Sequence, residues 1–180
     1  MIEKAKSVIH KVEPGLEKYQ VIMDRFPKVD VSKDAEFQKM YNGFYRVRQR
    51  DEEFYNAYYS YMEECKAEGT DFEKTLRYFY SKLNRVEASF SSKLVATINP
   101  EMPIWDVYVL ENLQLKTPAQ YSKTRLEDTV NLYKEIEKWY SDCVKSKDGK
   151  EMIKIFDQSF PNNFISNIKK IDFILWQIRE

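Results

Sequence analysis

Two side chains in the most distinctive stretch of the chain, Lys93 and Asp106, combine an amine with a carboxylate. A lysine near the start of a helix feels the positive end of the helix dipole, and partial burial removes water from its ammonium group. Both effects lower its pKa. An amine with a lowered pKa is a nucleophile near neutral pH, and it forms a Schiff base with an aldehydic sugar carbon while a carboxylate stabilises the developing cation. The two residues therefore predict a catalytic pair.

The sequence around this pair predicts two helices joined by a turn. The first helix begins near the serines, runs through Lys93 to Ile98, and takes its N-terminal capping groups from those serines. Residues 99–103 form the turn, and the second helix starts at Asp106. For the substrate, the expected contacts are Trp105, which can stack on a base or ring, and the hydroxyls of Ser89 and Ser92.

A structural role explains the same residues. In this alternative Asp106 is the N-cap of the second helix, a serine caps the first, and Lys93 is a surface or snorkelling lysine. Trp105 is then a buried aromatic residue. The sequence leaves both interpretations open.

The layout resembles that of a known family. Lys93 is followed by Pro103-Ile-Trp-Asp106-Val-Tyr-Val109, and this arrangement resembles the helix–hairpin–helix superfamily of base-excision DNA glycosylases, in particular its 8-oxoguanine-glycosylase-like branch. In that superfamily a helix opening with a catalytic lysine precedes a turn, and a catalytic aspartate heads the next helix. The resemblance implies a glycosylase-like helical core around residues 70–115, with Lys93 and Asp106 as the catalytic residues and DNA bound through a local pocket. It does not extend to the hairpin glycines of the superfamily, because residues 88–92 contain none.

A second candidate surface contains three alternating arginines, Arg46, Arg48 and Arg50. Arginines interleaved with tyrosines are typical of surfaces that stack on single-stranded bases and contact the nucleic-acid backbone. The neighbouring tyrosines are Tyr45, Tyr55 and Tyr59. In the alternative, the acidic run at residues 51–53 neutralises the arginines, and the aromatic residues form a core or an interface between copies of the chain.

The same region predicts a long aromatic helix over about residues 37–66. Asp51 falls in phase with the apolar side chains of this helix. Either the carboxylate is buried with polar partners, or the helix breaks near Arg50 and returns Asp51 to solvent. We favour the break.

Three further helices are predicted from apolar spacing and capping patterns. A helix over residues 70–83 begins with a capping box between Thr70 and Glu73. A helix that starts after Pro118, with this proline near its first turn, buries one apolar stripe. Near the C-terminus a last stripe begins at Phe164 and follows helical spacing: Phe164, Ile168, Ile171, Leu175 and Ile178.

Composition excludes several classes of protein. The chain has 29 basic and 29 acidic residues, which argues against a broad nucleic-acid or lipid surface. The solitary histidine, His10, is expected to be surface or packing material, and no metal site and no cofactor are predicted. Two distant cysteines favour a reducing compartment, and the short apolar runs predict no membrane span. Cytoplasmic localisation is the default expectation.

The predicted fold is all-α, with about eight to ten helices in one compact domain over residues 1–180. The predicted function is that of a small helical protein with a glycosylase-like core that binds or excises a base in nucleic acid. The alternative is a non-catalytic interaction or structural protein that reuses the scaffold, as a homo-oligomer through its aromatic helix faces.

Overall fold

A computed structural model of the protein describes residues 1–178. This part of the chain contains ten α-helices and two short 3-10 helices, and no strand is found within it. The all-α prediction is therefore confirmed. The helices are α1 (Ile2–Val8), α2 (Glu13–Arg25), α3 (Ala35–Tyr45), α4 (Glu52–Glu68), α5 (Phe72–Leu83), α6 (Ala88–Ile98), α7 (Val107–Asn112), α8 (Arg125–Lys145), α9 (Lys147–Ser159) and α10 (Asn167–Gln177).

The helices divide into two compact units. The middle unit is Pro14–Asn99, and the terminal unit combines Met1–Glu13 with Pro100–Glu180. The middle unit holds α2 to α6, and the terminal unit holds α1 and α7 to α10. The prediction of one domain over residues 1–180 stays a prediction.

The predicted aromatic helix is broken in the middle unit. Helix α3 ends at Tyr45, and α4 begins at Glu52 with Asp51 as its N-cap. The Asp51 carboxylate accepts a hydrogen bond from the Phe54 amide at 2.9 Å and pairs with Arg85 at 3.1 Å. The favoured interpretation, a break near Arg50, is confirmed, and Asp51 caps the new helix.

The core of the middle unit is aromatic. Helix α4 packs against α5 and α6, and the rings of Phe54 and Tyr58 stack on Phe79 with centroids 6.1 and 5.5 Å apart. All three side chains are fully buried. Aromatic rings of this size bury large apolar areas, so this stack fixes the position of α4 relative to α5.

Helix α5 starts one residue later than its capping box predicts. Its N-cap is Asp71, whose carboxylate accepts a hydrogen bond from the Lys74 amide at 2.8 Å. The Thr70 hydroxyl instead contacts the hydroxyls of Tyr61 and Thr75. The prediction of Thr70 as the cap was wrong, because aspartate at the next position satisfies the same helix terminus.

The terminal unit is built around α8, α9 and α10. Helix α8 buries most of its predicted stripe, including Val130, Ile136 and Tyr140. Pro118 lies outside this helix, which begins at Arg125, so its predicted place in the first turn was wrong. Phe164 also lies outside α10 and is 97% exposed. The predicted last stripe therefore holds only for its members within α10 and at its C-cap.

Candidate functional site

Lys93 lies in the second turn of α6, and 8% of it is exposed. Its amine lies 5.1 Å from the centroid of the Phe90 ring. The two residues are three positions apart, which places them on one face of the helix. Lys93 is thus a buried lysine held over an aromatic ring, whereas the structural alternative expected a surface or snorkelling lysine.

Arg50 approaches the same ring from the loop that joins α3 and α4. Its guanidinium carbon lies 4.8 Å from the Phe90 centroid, and its Nη2 pairs with the Glu87 carboxylate at 3.2 Å. The structure therefore brings together two residues that the sequence assigned to separate candidate surfaces, Lys93 and Arg50. We call Arg50, Glu87, Phe90 and Lys93 the Phe90 cluster.

The loop that supplies Arg50 has a constrained backbone. Arg46 and Gln49 adopt left-handed conformations, with φ of 54° and 57°. Between them Val47 is buried, and its carbonyl accepts a hydrogen bond from the Tyr55 hydroxyl at 3.2 Å. Residues other than glycine adopt positive φ at a cost that the surrounding structure must offset. Arg46 and Arg48 are exposed on this loop.

The serines do not cap α6. The N-cap residue is Glu87, which makes no side-chain capping bond, and the serines lie inside the helix. Ser92 is buried and its hydroxyl donates to the Ser89 carbonyl at 2.9 Å, while Ser89 is half-buried. The capping prediction was wrong. The proposed substrate contacts of Ser89 and Ser92 stay predictions.

A network of hydrogen bonds between buried hydroxyl groups links α6 to α3 and α4. The Tyr58 hydroxyl lies 2.9 Å from the Tyr41 hydroxyl and donates to the Phe90 carbonyl at 3.1 Å. The Tyr41 hydroxyl also lies 3.3 Å from that of Thr97. Burial raises the pKa of both phenols well above its ordinary value. These tyrosines are therefore neutral hydrogen-bonding groups that tie α3, α4 and α6 together.

Asp106 is the N-cap of α7 in the terminal unit. Its carboxylate accepts a hydrogen bond from the Tyr108 amide at 2.9 Å. The preceding residue, Trp105, is buried with 6% of its surface exposed. Both observations agree with the structural alternative. Lys93 and Asp106 belong to different units, and their action as a pair stays a prediction.

The terminal unit contains a second buried lysine that sequence reasoning missed. Lys169 pairs with Asp172 at 2.8 Å, and both residues are more than nine-tenths buried. The Tyr140 hydroxyl donates to the same carboxylate at 3.3 Å, and Lys169 lies 5.4 Å from the Phe173 ring. A lysine and an aspartate three positions apart inside an apolar helix were the available sequence signal.

Neither the cysteines nor the histidine forms a reactive centre. Burial raises the pKa of the Cys65 and Cys143 thiols, which disfavours the nucleophilic thiolate. His10 is exposed, as expected. Within residues 1–178 no group of His, Cys, Asp and Glu side chains has the arrangement of a metal site. Within the same residues, no helix combines the length and apolar character that crossing a membrane requires.

The comparisons with known proteins identify no relative. No family model, no curated protein and no solved structure matches the chain.

Proposed function

We propose that this chain binds DNA and excises a base, with Lys93 as the amine nucleophile. The observation that supports this proposal best is the Phe90 cluster, in which a buried amine and a guanidinium contact the same ring. An amine with little access to water is suited to nucleophilic attack, and a guanidinium over the same ring is suited to a phosphate of the same nucleotide. Arg46 and Arg48, exposed on the Arg50 loop, are the proposed contacts to the flanking backbone.

The proposed chemistry is substitution at the sugar. The lone pair of the neutral Lys93 amine bonds to C1′ while the bond from C1′ to the base breaks, and the departing base takes up the proton that Nζ loses. The nitrogen lone pair then forms the double bond between C1′ and Nζ while the bond from C1′ to the ring oxygen breaks, and that oxygen takes up a proton from solvent, which gives a protonated imine. A carboxylate stabilises the positive charge that develops on the sugar, and this is the role we propose for Asp106.

Borohydride trapping tests the nucleophile. Hydride reduces the imine to a stable amine, so the protein becomes cross-linked to an oligonucleotide that contains a damaged base or an abasic site. We expect an adduct with the natural chain and none with Lys93→Ala or Lys93→Arg, because arginine keeps the charge but is not a nucleophile at neutral pH. Lys169→Arg is the matched control and keeps the adduct. Absence of an adduct from the natural chain on every lesion would contradict the proposal.

The capping role of Asp106 favours a second candidate function. If the role of its carboxylate is structural, as in the cap of α7, the chain is a non-catalytic helical protein that binds partners or copies of itself. Asparagine caps helices about as well as aspartate but has no charge. Asp106→Asn therefore separates the two functions: catalysis predicts that adduct formation slows by on the order of a hundredfold at unchanged stability. An unchanged rate removes Asp106 from the chemistry.

The proposed partner and the proposed oligomeric state differ between the catalytic and the non-catalytic function. DNA is the proposed partner of the catalytic function, and a homo-oligomer is the proposed state of the non-catalytic one. A cytoplasmic location suits both. Light scattering at several protein concentrations, together with a DNA mobility-shift assay, discriminates between them, since only the non-catalytic function predicts self-association without DNA binding.

A further inference from the structure

The Phe90 ring is itself held in place by the middle unit. It packs edge-to-face against Phe54, with centroids 5.3 Å apart. Its backbone carbonyl accepts the hydrogen bond from the buried Tyr58 hydroxyl. Contacts of this kind limit both the orientation of the ring and the position of the helix turn that bears it.

Two cations lie over this ring. Arg50 is paired with Glu87, whose side chain is 10% exposed. The amine of Lys93 is held over the ring from the same helix. The face of an aromatic ring attracts an ammonium group through its quadrupole, and this attraction grows as water is excluded. The ring therefore holds the resting, protonated side chain, and Nζ becomes a nucleophile once it has lost this proton.

We infer that Phe90 is a positioning residue, which holds the Lys93 amine in one place on a ring that the Arg50 guanidinium also contacts. Its role in base excision rests on the function proposed above. A nucleophile that is held at one position attacks faster than one that samples many rotamers, because the cost of ordering it is already met by the fold.

The first test needs no DNA. Formaldehyde with cyanoborohydride methylates accessible amines, and peptide mass spectrometry reports the rate at each lysine. We expect Phe90→Leu to raise the rate at Lys93 at least threefold relative to Lys169, and Phe90→Tyr, which keeps the ring, to leave it unchanged. Phe173→Leu is the matched control, since it alters the ring beside Lys169 and leaves the Lys93 rate unchanged. Equal Lys93 rates in Phe90→Leu and the natural chain would overturn the inference.

The second test measures adduct formation on DNA. We expect Phe90→Leu to slow trapping about tenfold at unchanged DNA affinity, and Phe90→Tyr to restore the rate; a purely structural role would weaken affinity and rate together. Phe90→Met, which fills a similar volume, is measured in parallel in case the leucine variant does not fold. Trapping at the natural rate in Phe90→Met or Phe90→Leu contradicts positioning. If the natural chain forms no adduct, the proposed function fails, and the methylation rates alone decide whether Phe90 holds Lys93.

Discussion

Removal of the Tyr58 hydroxyl measures how much its hydrogen bonds to α3 and α6 contribute to the free energy of unfolding. Tyr58 is fully buried, and its hydroxyl joins the Tyr41 hydroxyl to the Phe90 carbonyl. Tyr58→Phe keeps the ring but removes both hydrogen bonds, and it leaves the Tyr41 hydroxyl with Thr97 at 3.3 Å. A buried hydrogen bond contributes about 1 kcal/mol net, and a buried polar group that loses a partner costs about 1–3 kcal/mol. We therefore expect a loss of about 2 kcal/mol in the free energy of unfolding.

Urea unfolding followed by far-UV circular dichroism is the assay. Circular dichroism is the appropriate probe because the three tryptophans, Trp105, Trp139 and Trp176, all lie in the terminal unit. The shift in the urea midpoint measures a change in stability only if the m-value, the slope of the unfolding free energy with urea, stays the same. Tyr80→Phe is the matched control in the middle unit, because Tyr80 is 43% exposed, and its expected effect is within about 0.5 kcal/mol of zero.

A double variant tests whether the hydroxyls act as a network. Tyr41→Phe combined with Tyr58→Phe removes both partners of their hydrogen bond. Neither tyrosine hydroxyl then remains buried with its partner missing. We expect the double variant to cost about 1 kcal/mol less than the sum of the single variants. Strict additivity, or a loss below about 0.5 kcal/mol in Tyr58→Phe, would refute the reasoning, because the hydroxyls would then contribute no coupled stabilisation.

The structure determines the direction of the effect of three other perturbations. Gly149→Ala should destabilise by about 1–3 kcal/mol in urea unfolding, because a Cβ there overlaps the Cys143 carbonyl, whereas Gly43→Ala on open helix surface should stabilise by up to about 1 kcal/mol. Hydrogen bonds from Lys33 and a serine hydroxyl lower the pKa of Asp30 to about 2. Since the folded pKa is below the unfolded one, this stabilisation is present above about pH 4 and disappears as pH falls through about 2. NMR titration of the Asp30 carboxyl carbon checks the value, and a midpoint near pH 4 would contradict it.

Helices were predictable where apolar spacing is regular, and helix ends were less so. The break before α4 was predictable because a carboxylate, Asp51, interrupts the apolar phase. At α5 two adjacent residues, Thr70 and Asp71, can both cap a helix, and the spacing rule does not rank them. At Phe164 the spacing rule predicted too long a helix. This residue has the spacing of the apolar stripe, but α10 begins only after Ser166, whose hydroxyl caps it.

The positions of Lys93 and Asp106 relative to their helices could be predicted, but the Phe90 cluster could not. Lys93 and Asp106 were found from residue type and spacing, and each lies where the predicted helices placed it, in α6 and at the start of α7. The meeting of Arg50 with Lys93 at Phe90 depends on how α4, α5 and α6 pack, and local sequence patterns contain no information on such long-range contacts. The sequence also suggested no role for Phe90, because its spacing is that of an ordinary packing residue.

The neutral charge of the chain and the Phe90 cluster together limit how DNA could be bound. The α3–α4 loop contains three arginines, and one of them, Arg50, is paired with Glu87. At most these three arginines can contact phosphates from this loop. Three phosphate contacts give a salt slope of about −2.7, and affinity then falls roughly fortyfold between 50 and 200 mM salt. Proteins with six to ten such contacts lose about a thousandfold or more over the same range. Under the proposed function, specific binding would therefore draw on contacts to one nucleotide, and a measured slope steeper than about −5 would place the interface elsewhere than this loop.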